Sequence, residues 1–192
     1  MLQNLTSYRI ILASKSPRRQ QLLKELGVDF VIKTKDIEEV YPPHLKKEAV
    51  ALFLSELKAN AFKKDINENE IVITSDTIVC LDNEIIGKPT NRANAIEMLE
   101  KLSGKRHEVI TAVTLFSNKK QISFSVCTEV FFKTLSMEEI TYYIDNYKPY
   151  DKAGSYGIQE WIGYIGIEKI IGSYFNVMGF PVKEVYDALI KF

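Results

Sequence analysis

Between Ile10 and Gly27 the chain reads I-I-L-A-S-K-S-P-R-R-Q-Q-L-L-K-E-L-G, and its polar residues suit the binding of an anion. Ile10 to Ala13 has the apolar run of a buried strand; Leu22, Leu23 and Leu26 then follow at helical spacing. Ser16 fits an N-cap, Pro17 the first helical position and Gly27 the stop. Arg18 and Arg19 therefore fall in the first turn, where cations oppose the helix dipole at about 0.3–1 kcal/mol each. An ordinary solvated helix start favours Asp or Glu there. Two hydroxyls, Ser14 and Ser16, two guanidiniums and the open N–H groups of a helix start make a phosphate or carboxylate site. Two solvated arginines on a surface turn are the plainer alternative.

A second chemical signal is Asp76, inside the β-branched run Ile71–Leu81. A carboxylate among such neighbours is costly to desolvate unless it meets a cation, is hydrogen-bonded or titrates. Glu39 closes an acidic stretch after a strand-like segment at Phe30–Thr34, where carboxylates serve either loop solubility or a metal. Lys58 borders the apolar ridge of a helix-like segment, and its spacing alone does not separate a snorkelling edge lysine from a phosphate ligand. Lys88, between Gly87 and Pro89 at a strand end, is placed to return towards Asp76. The aperiodic stretch Lys148–Gln159 reads as a shaped loop with Asp151, Lys152 and Gln159 at its two ends. His107, at a strand start, and His44, beside two prolines, have the look of surface or edge histidines.

The elements that must hold these groups alternate between strand and helix. After the first strand and helix come an amphipathic helix carrying Val50, Phe53, Leu54, Leu57 and Ala61, the strand Ile71–Leu81, and a tight turn at Asp82-Asn83 into Glu84–Ile86. A helix with Ala95, Met98, Leu99 and Leu102 on one side closes at Ser103-Gly104. Strands at about His107–Phe116 and Gln121–Phe132 form a hairpin, and Ser136-Met-Glu-Glu139 is a capping box. Trp161–Ile171 reads as strand, Gly172-Ser173 as a turn, and a last helix carries Val182, Val185, Tyr186 and Leu189. The hairpins exclude a purely parallel sheet, so the expected class is mixed α/β.

The 192 residues suffice for one domain or two small lobes. With 25 basic and 25 acidic residues there is no general basic field, so non-specific nucleic-acid binding is not expected and any anion site is local. Cys80 and Cys127 lie in apolar strand-like runs without metal-type spacing and read as reduced core residues, which points to the cytoplasm. Met1–Arg9 lacks the charged and apolar regions of a secretion signal, and no apolar run is long enough to span a membrane.

Six stretches then carry a resemblance: Leu12-Ala-Ser-Lys-Ser-Pro-Arg-Arg19, Ser75-Asp-Thr77, Gly87-Lys-Pro89, Leu102-Ser-Gly104, Asp151-Lys-Ala-Gly-Ser-Tyr-Gly-Ile-Gln159 and Asn176-Val-Met-Gly-Phe-Pro181. In this order the chain resembles the Maf (septum formation protein) family along essentially its whole length, as one domain of residues 1–192. The resemblance implies a mixed α/β fold like that of inosine triphosphate pyrophosphatases, a mixed sheet with flanking helices, two lobes and a cleft. It implies a nucleoside triphosphate pyrophosphatase that releases the monophosphate and pyrophosphate, needs Mg²⁺ or Mn²⁺, and forms a homodimer. By the same resemblance Ser14, Arg18 and Arg19 bind the triphosphate, Asp76 is the general base, and Glu39, Lys58 and Lys88 complete the catalytic set. Asp76 and Glu39 are the implied metal ligands, while Thr77 and Gln159 match positions tied to base preference.

One branch of the family prefers 7-methyl-GTP, with Gln after the catalytic Asp, a Trp interrupting the arginine motif and no Y-G-I-Q. Thr77, the uninterrupted Ser16-Pro-Arg-Arg19 and Tyr156-Gly-Ile-Gln159 instead resemble the dTTP/UTP branch. Many relatives follow this Gln with Gly; here Glu160-Trp161 follow, which alters the expected rim of the base pocket. Rival readings are a non-catalytic nucleotide-binding regulator of cell division and an inosine/xanthosine triphosphate pyrophosphatase.

Overall fold

The computed structural model describes residues 2–192. Strands β1 (Arg9–Leu12), β2 (Phe30–Ile32), β3 (Glu70–Leu81), β4 (Glu84–Ile86), β5 (Arg106–Phe116), β6 (Gln121–Phe132) and β7 (Ile167–Ile171) form one mixed sheet in the order β2-β1-β3-β5-β6-β7, with β4 paired to β3. Helices α1 (Pro17–Glu25), α2 (Glu48–Asn60), α3 (Arg92–Leu102), α4 (Met137–Tyr147), α5 (Trp161–Gly166), α6 (Tyr174–Val177) and α7 (Val182–Ile190) complete the mixed α/β class read from the sequence. The chain divides into two compact units. The first comprises Met1–Asp76, Thr111–Val126 and Gly179–Phe192; the second comprises Thr77–Ile110 and Cys127–Met178.

In the first unit β1 pairs in parallel with both β2 and β3, Leu12 lying opposite Ile32 and Ile73. Parallel strands need crossovers, and α1 and α2 supply them. Parallel pairing also brings the C-terminal ends of β1 and β2 beside Ile73 of β3, three residues before Asp76, at the side where ligands of open α/β sheets gather. Ile11, Ala59, Phe62, Ile66, Val72 and Phe116 form a core cluster in this unit. The buried residues of α2 are Val50, Ala51, Leu54, Ser55 and Ala59, a face turned from the expected ridge so that Phe53 and Leu57 are only half-buried.

In the second unit Leu99 and Leu102 of α3, Ile140 and Ile144 of α4, and Val130 and Phe132 of β6 share one core with Tyr143, Tyr156 and Ile162. The Ser136–Glu139 capping box forms in full and starts α4. The expected strand over Trp161–Ile171 is corrected: its first six residues form α5 and only Ile167–Ile171 is strand. W-I-G-Y-I-G is too short for its apolar pattern to distinguish the two periods. Contact decides it: an added Cβ at Gly163 would stand 2.1 Å from the Ile158 carbonyl oxygen, so the glycine lets the chain turn tightly back on itself.

Two further expectations are corrected. His107 does begin a strand, but it is 1% exposed, stacked edge-on against Phe132 and Tyr156. Its Nε2 pairs with the Tyr156 hydroxyl at 2.8 Å, and burial lowers its pKa from 6.5 to about 4. Cys80 is buried, but Cys127 is exposed because β6 is only partly covered over its first seven residues. Both cysteines are unbridged. Among the described residues no helix is long and apolar enough to cross a membrane.

Candidate active site

The helix start after β1 forms as its sequence requires. Ser16 caps α1, accepting from the Arg19 N–H, and Pro17 occupies the first turn. The Ser14 hydroxyl accepts from the Ser16 N–H at 3.2 Å, which draws both serines to the helix mouth. Arg18 and Arg19 lie in that first turn, with no acidic residue beside them there.

Arg19 is also tied into the fold. Its Nε donates to the Gly179 carbonyl and its Nη1 to the Ser75 carbonyl, each at 2.8 Å. The Ser75 hydroxyl donates to the same Gly179 carbonyl at 3.3 Å. Desolvation of the guanidinium lowers the Arg19 pKa, with Arg18 acting in the same direction, whereas Asp76 and Glu39 oppose it. Gly179 was not among the expected site residues. The G-F-P turn in the sixth motif stretch was its sequence signal, but a backbone carbonyl acting across 160 residues of chain has no local signature.

Asp76 is 6% exposed and meets a cation, one of the conditions under which a carboxylate is tolerated in such a strand. Lys58 Nζ donates to Asp76 Oδ1 at 2.5 Å and lies 2.7 Å from Glu39 Oε1. Small polar contacts set this register. Thr74, two residues before Asp76 and hence on the same face of β3, donates its hydroxyl to the Ser55 carbonyl at 2.7 Å. Ser55, one turn before Lys58 on α2, pairs with the Thr114 hydroxyl at 2.9 Å. Seating Ser55 against Thr74 therefore places Lys58 against Asp76. Glu39 arrives from the segment after β2, and its side chain remains 41% exposed. Thus Ser14, Arg18, Arg19, Glu39, Lys58 and Asp76 all belong to the first unit, grouped by the parallel pairing of β1 with β2 and β3.

Thr77, Lys88 and Gln159 belong to the second unit. Thr77 and Gln159 are partly buried, whereas Lys88 is exposed. The Gly154 N–H donates to the Gly87 carbonyl at 3.0 Å, joining the loop that carries Gln159 to the strand end that carries Lys88. Lys152 is 9% exposed and pairs with Asp151 at 2.7 Å and Glu160 at 3.0 Å.

The donor set suits a hard divalent cation. Asp76 and Glu39 already direct carboxylate oxygens at one positive centre, the Lys58 ammonium. Among the described residues no group of three or more His, Cys, Asp or Glu side chains forms a metal cage. Two carboxylates fit the mode in which Mg²⁺ is held by one or two protein ligands, with substrate phosphates and water completing the shell.

Comparison with known proteins agrees with the motif order. A family model described as Maf-like protein matches residues 9–192. A Phocaeicola vulgatus protein named dTTP/UTP pyrophosphatase is 56% identical over 192 residues, covering 100% of both chains. Proteins of the same name from Flavobacterium johnsoniae and Bacteroides fragilis are 54% and 52% identical over 187 and 190 residues, covering 97% and 98% of this chain and 96% and 98% of their own. Among solved structures, the Staphylococcus aureus Ham1 protein matches 65% of this chain and 71% of its own, with a TM-score of 0.44 and 18% identity.

Proposed function

The chain belongs to the Maf-like protein family, and from that premise we propose that it hydrolyses dTTP and UTP to the nucleoside monophosphate and pyrophosphate. The observation that carries the chemistry is the Glu39–Lys58–Asp76 array beside the arginine-bearing mouth of α1, in one unit and at one sheet edge. Relatives above 50% identity along their full length, each named dTTP/UTP pyrophosphatase, support the choice of substrate. Residues 1–192 act as one catalytic domain in this reading, and the family match running through both units supports it.

Ser14, Arg18 and Arg19 take the triphosphate, with the helix dipole and charge-assisted hydrogen bonds holding its negative charge. Asp76 accepts a proton from water as the water oxygen attacks the α-phosphorus. The bond from that phosphorus to the bridging oxygen breaks, and pyrophosphate leaves with the electron pair. Lys58 donates to Asp76 and orients it, and its ammonium offsets charge on the phosphates. Lys88 contributes a further cation to the phosphate chain. Mg²⁺ or Mn²⁺ held by Asp76 and Glu39 supplies charge neutralisation for the leaving pyrophosphate. Thr77 and Gln159 read the base, the Gln159 amide offering both a donor and an acceptor to the O4 and N3 edge of a pyrimidine.

Pyrophosphate release from canonical nucleotides, measured with Mg²⁺ and with Mn²⁺, tests the proposal. dTTP and UTP should lead the panel. Absence of release from every nucleotide would leave a binding protein, and preference for inosine or xanthosine triphosphate would reassign the base pocket.

A further inference from the structure

In the second unit a single carboxylate holds both ends of the loop that carries Gln159. At the start of the loop, Lys152 Nζ lies 3.0 Å from Glu160 Oε1. This ammonium is nearly buried, and its other carboxylate partner, Asp151, has a side chain 65% exposed and so is a softer anchor. At the end of the loop, the Tyr143 hydroxyl donates to Glu160 Oε2 and accepts from the Gly157 N–H at 3.0 Å. Tyr143 thus has both its donor and its acceptor engaged, and burial followed by its bond to Glu160 raises its pKa, keeping it a donor.

Glycine at 157 makes room for this arrangement. An added Cβ there would stand 2.8 Å from Glu160 Cδ and 2.9 Å from Oε2, so the carboxylate lies directly over the glycine backbone. The Glu160 N–H donates to the Gly157 carbonyl at 3.0 Å, and the Tyr164 hydroxyl donates to the Gln159 carbonyl. Gln159 is therefore flanked by fixed backbone, and most of that fixing passes through Glu160.

We infer that Glu160 is a positioning residue that sets base choice through Gln159, by clamping Lys152 at one end of the loop and the Tyr143–Gly157 pair at the other. This rests on Gln159 reading the base, as proposed above. The carboxylate is suited to the task because it has two acceptor oxygens, one for each end. Glutamine at this position can still accept from Tyr143 but turns a donor towards the Lys152 ammonium. Alanine releases both ends.

Glu160→Ala, Glu160→Gln and Gly157→Ala in the full-length protein test the clamp. The alanine at 157 is the informative partner, because it leaves Glu160 in the chain and only displaces its carboxylate. Three measurements apply to each: the ratio of kcat/KM for UTP to that for CTP, inhibition by inorganic tripolyphosphate, which has phosphates but no base, and hydrogen exchange of amides 152–160 without substrate. Glu160→Ala and Gly157→Ala should lower the UTP preference by about tenfold or more, because misplacing a positioning contact by about 1 Å has costs of that order. Tripolyphosphate inhibition should stay within about twofold, amides 152–160 should exchange faster, and Glu160→Gln should fall between wild type and Glu160→Ala.

An unchanged UTP preference in Glu160→Ala overturns the inference. So does a parallel loss of preference and tripolyphosphate binding, which marks general collapse. Wild-type protein that releases no pyrophosphate defeats the functional reading instead. The clamp then stands or falls on the exchange of amides 152–160.

Discussion

Asparagine in place of Asp76, compared with methionine in place of Lys58, separates the chemical role of the Lys58–Asp76 contact from its structural one. Asp76→Asn keeps shape and polarity but cannot take a proton from water, so turnover should fall by at least about 10²-fold, the lower range for loss of a general base. Its stability cost should be small. Lys58 keeps Glu39 at 2.7 Å and a side chain 18% exposed, and the new amide oxygen still accepts from it, so the change should stay within about 1 kcal/mol. Lys58→Met differs because the nearly buried Asp76 then loses the ammonium 2.5 Å away. Breaking a fully buried pair costs about 3–5 kcal/mol; the partial exposure here and the charge of Arg19 reduce that to about 2–3 kcal/mol. Urea unfolding gives the two stabilities and continuous pyrophosphate release gives kcat, both on the same preparations. An Asp76→Asn protein with more than about a tenth of wild-type kcat would remove Asp76 as the base. Equal stability of the two variants would refute the electrostatic account of the pair.

Three other outcomes are expected. Arg18→Ala and Arg19→Ala should each lower kcat/KM by about tenfold or more, since charge-assisted bonds to phosphate contribute about 1.5–3 kcal/mol apiece. Arg19→Ala should also lower the thermal midpoint, because the Gly179 and Ser75 carbonyls lose a charged donor. Gln159→Glu removes the amide donor and adds charge, so relative rates for UTP, dTTP, CTP and GTP should reorder more than tripolyphosphate inhibition changes; unchanged relative rates would exclude Gln159 from base choice. His107 has a folded pKa of about 4 against 6.5 for the free group, so the unfolded chain takes up the proton first and stability falls as the pH is lowered across that window. Stability is full above pH 6.5 and the loss amounts to about 3 kcal/mol by pH 4, and urea midpoints of a His107→Gln variant should decline less steeply over the same range.

The local chemistry of the site was legible in the chain itself. Ser16 and Pro17 define a helix start through cap geometry and a fixed φ, both properties of neighbouring residues. The same holds for the Ser136–Glu139 box. Asp76 stood out because a carboxylate in a β-branched run has an energetic cost that demands a partner. The partner's identity was not legible, since sequence spacing left Lys58 as either an edge lysine or a ligand. The parallel register of β1, β2 and β3 and the seating of Ser55 on Thr74 decided it, by bringing Lys58 within reach of Asp76 and Glu39. Likewise, two adjacent arginines read alike in sequence, and only the tertiary structure ties Arg19 to the Ser75 and Gly179 carbonyls, far away along the chain. Short apolar segments were ambiguous for a related reason. W-I-G-Y-I-G satisfies strand and helix patterns equally, and the close approach of Gly163 to Ile158 selects helix. The burial of His107 and the exposure of Cys127 depend on what covers each strand face, and that is a property of packing between elements, which periodicity within one element does not encode.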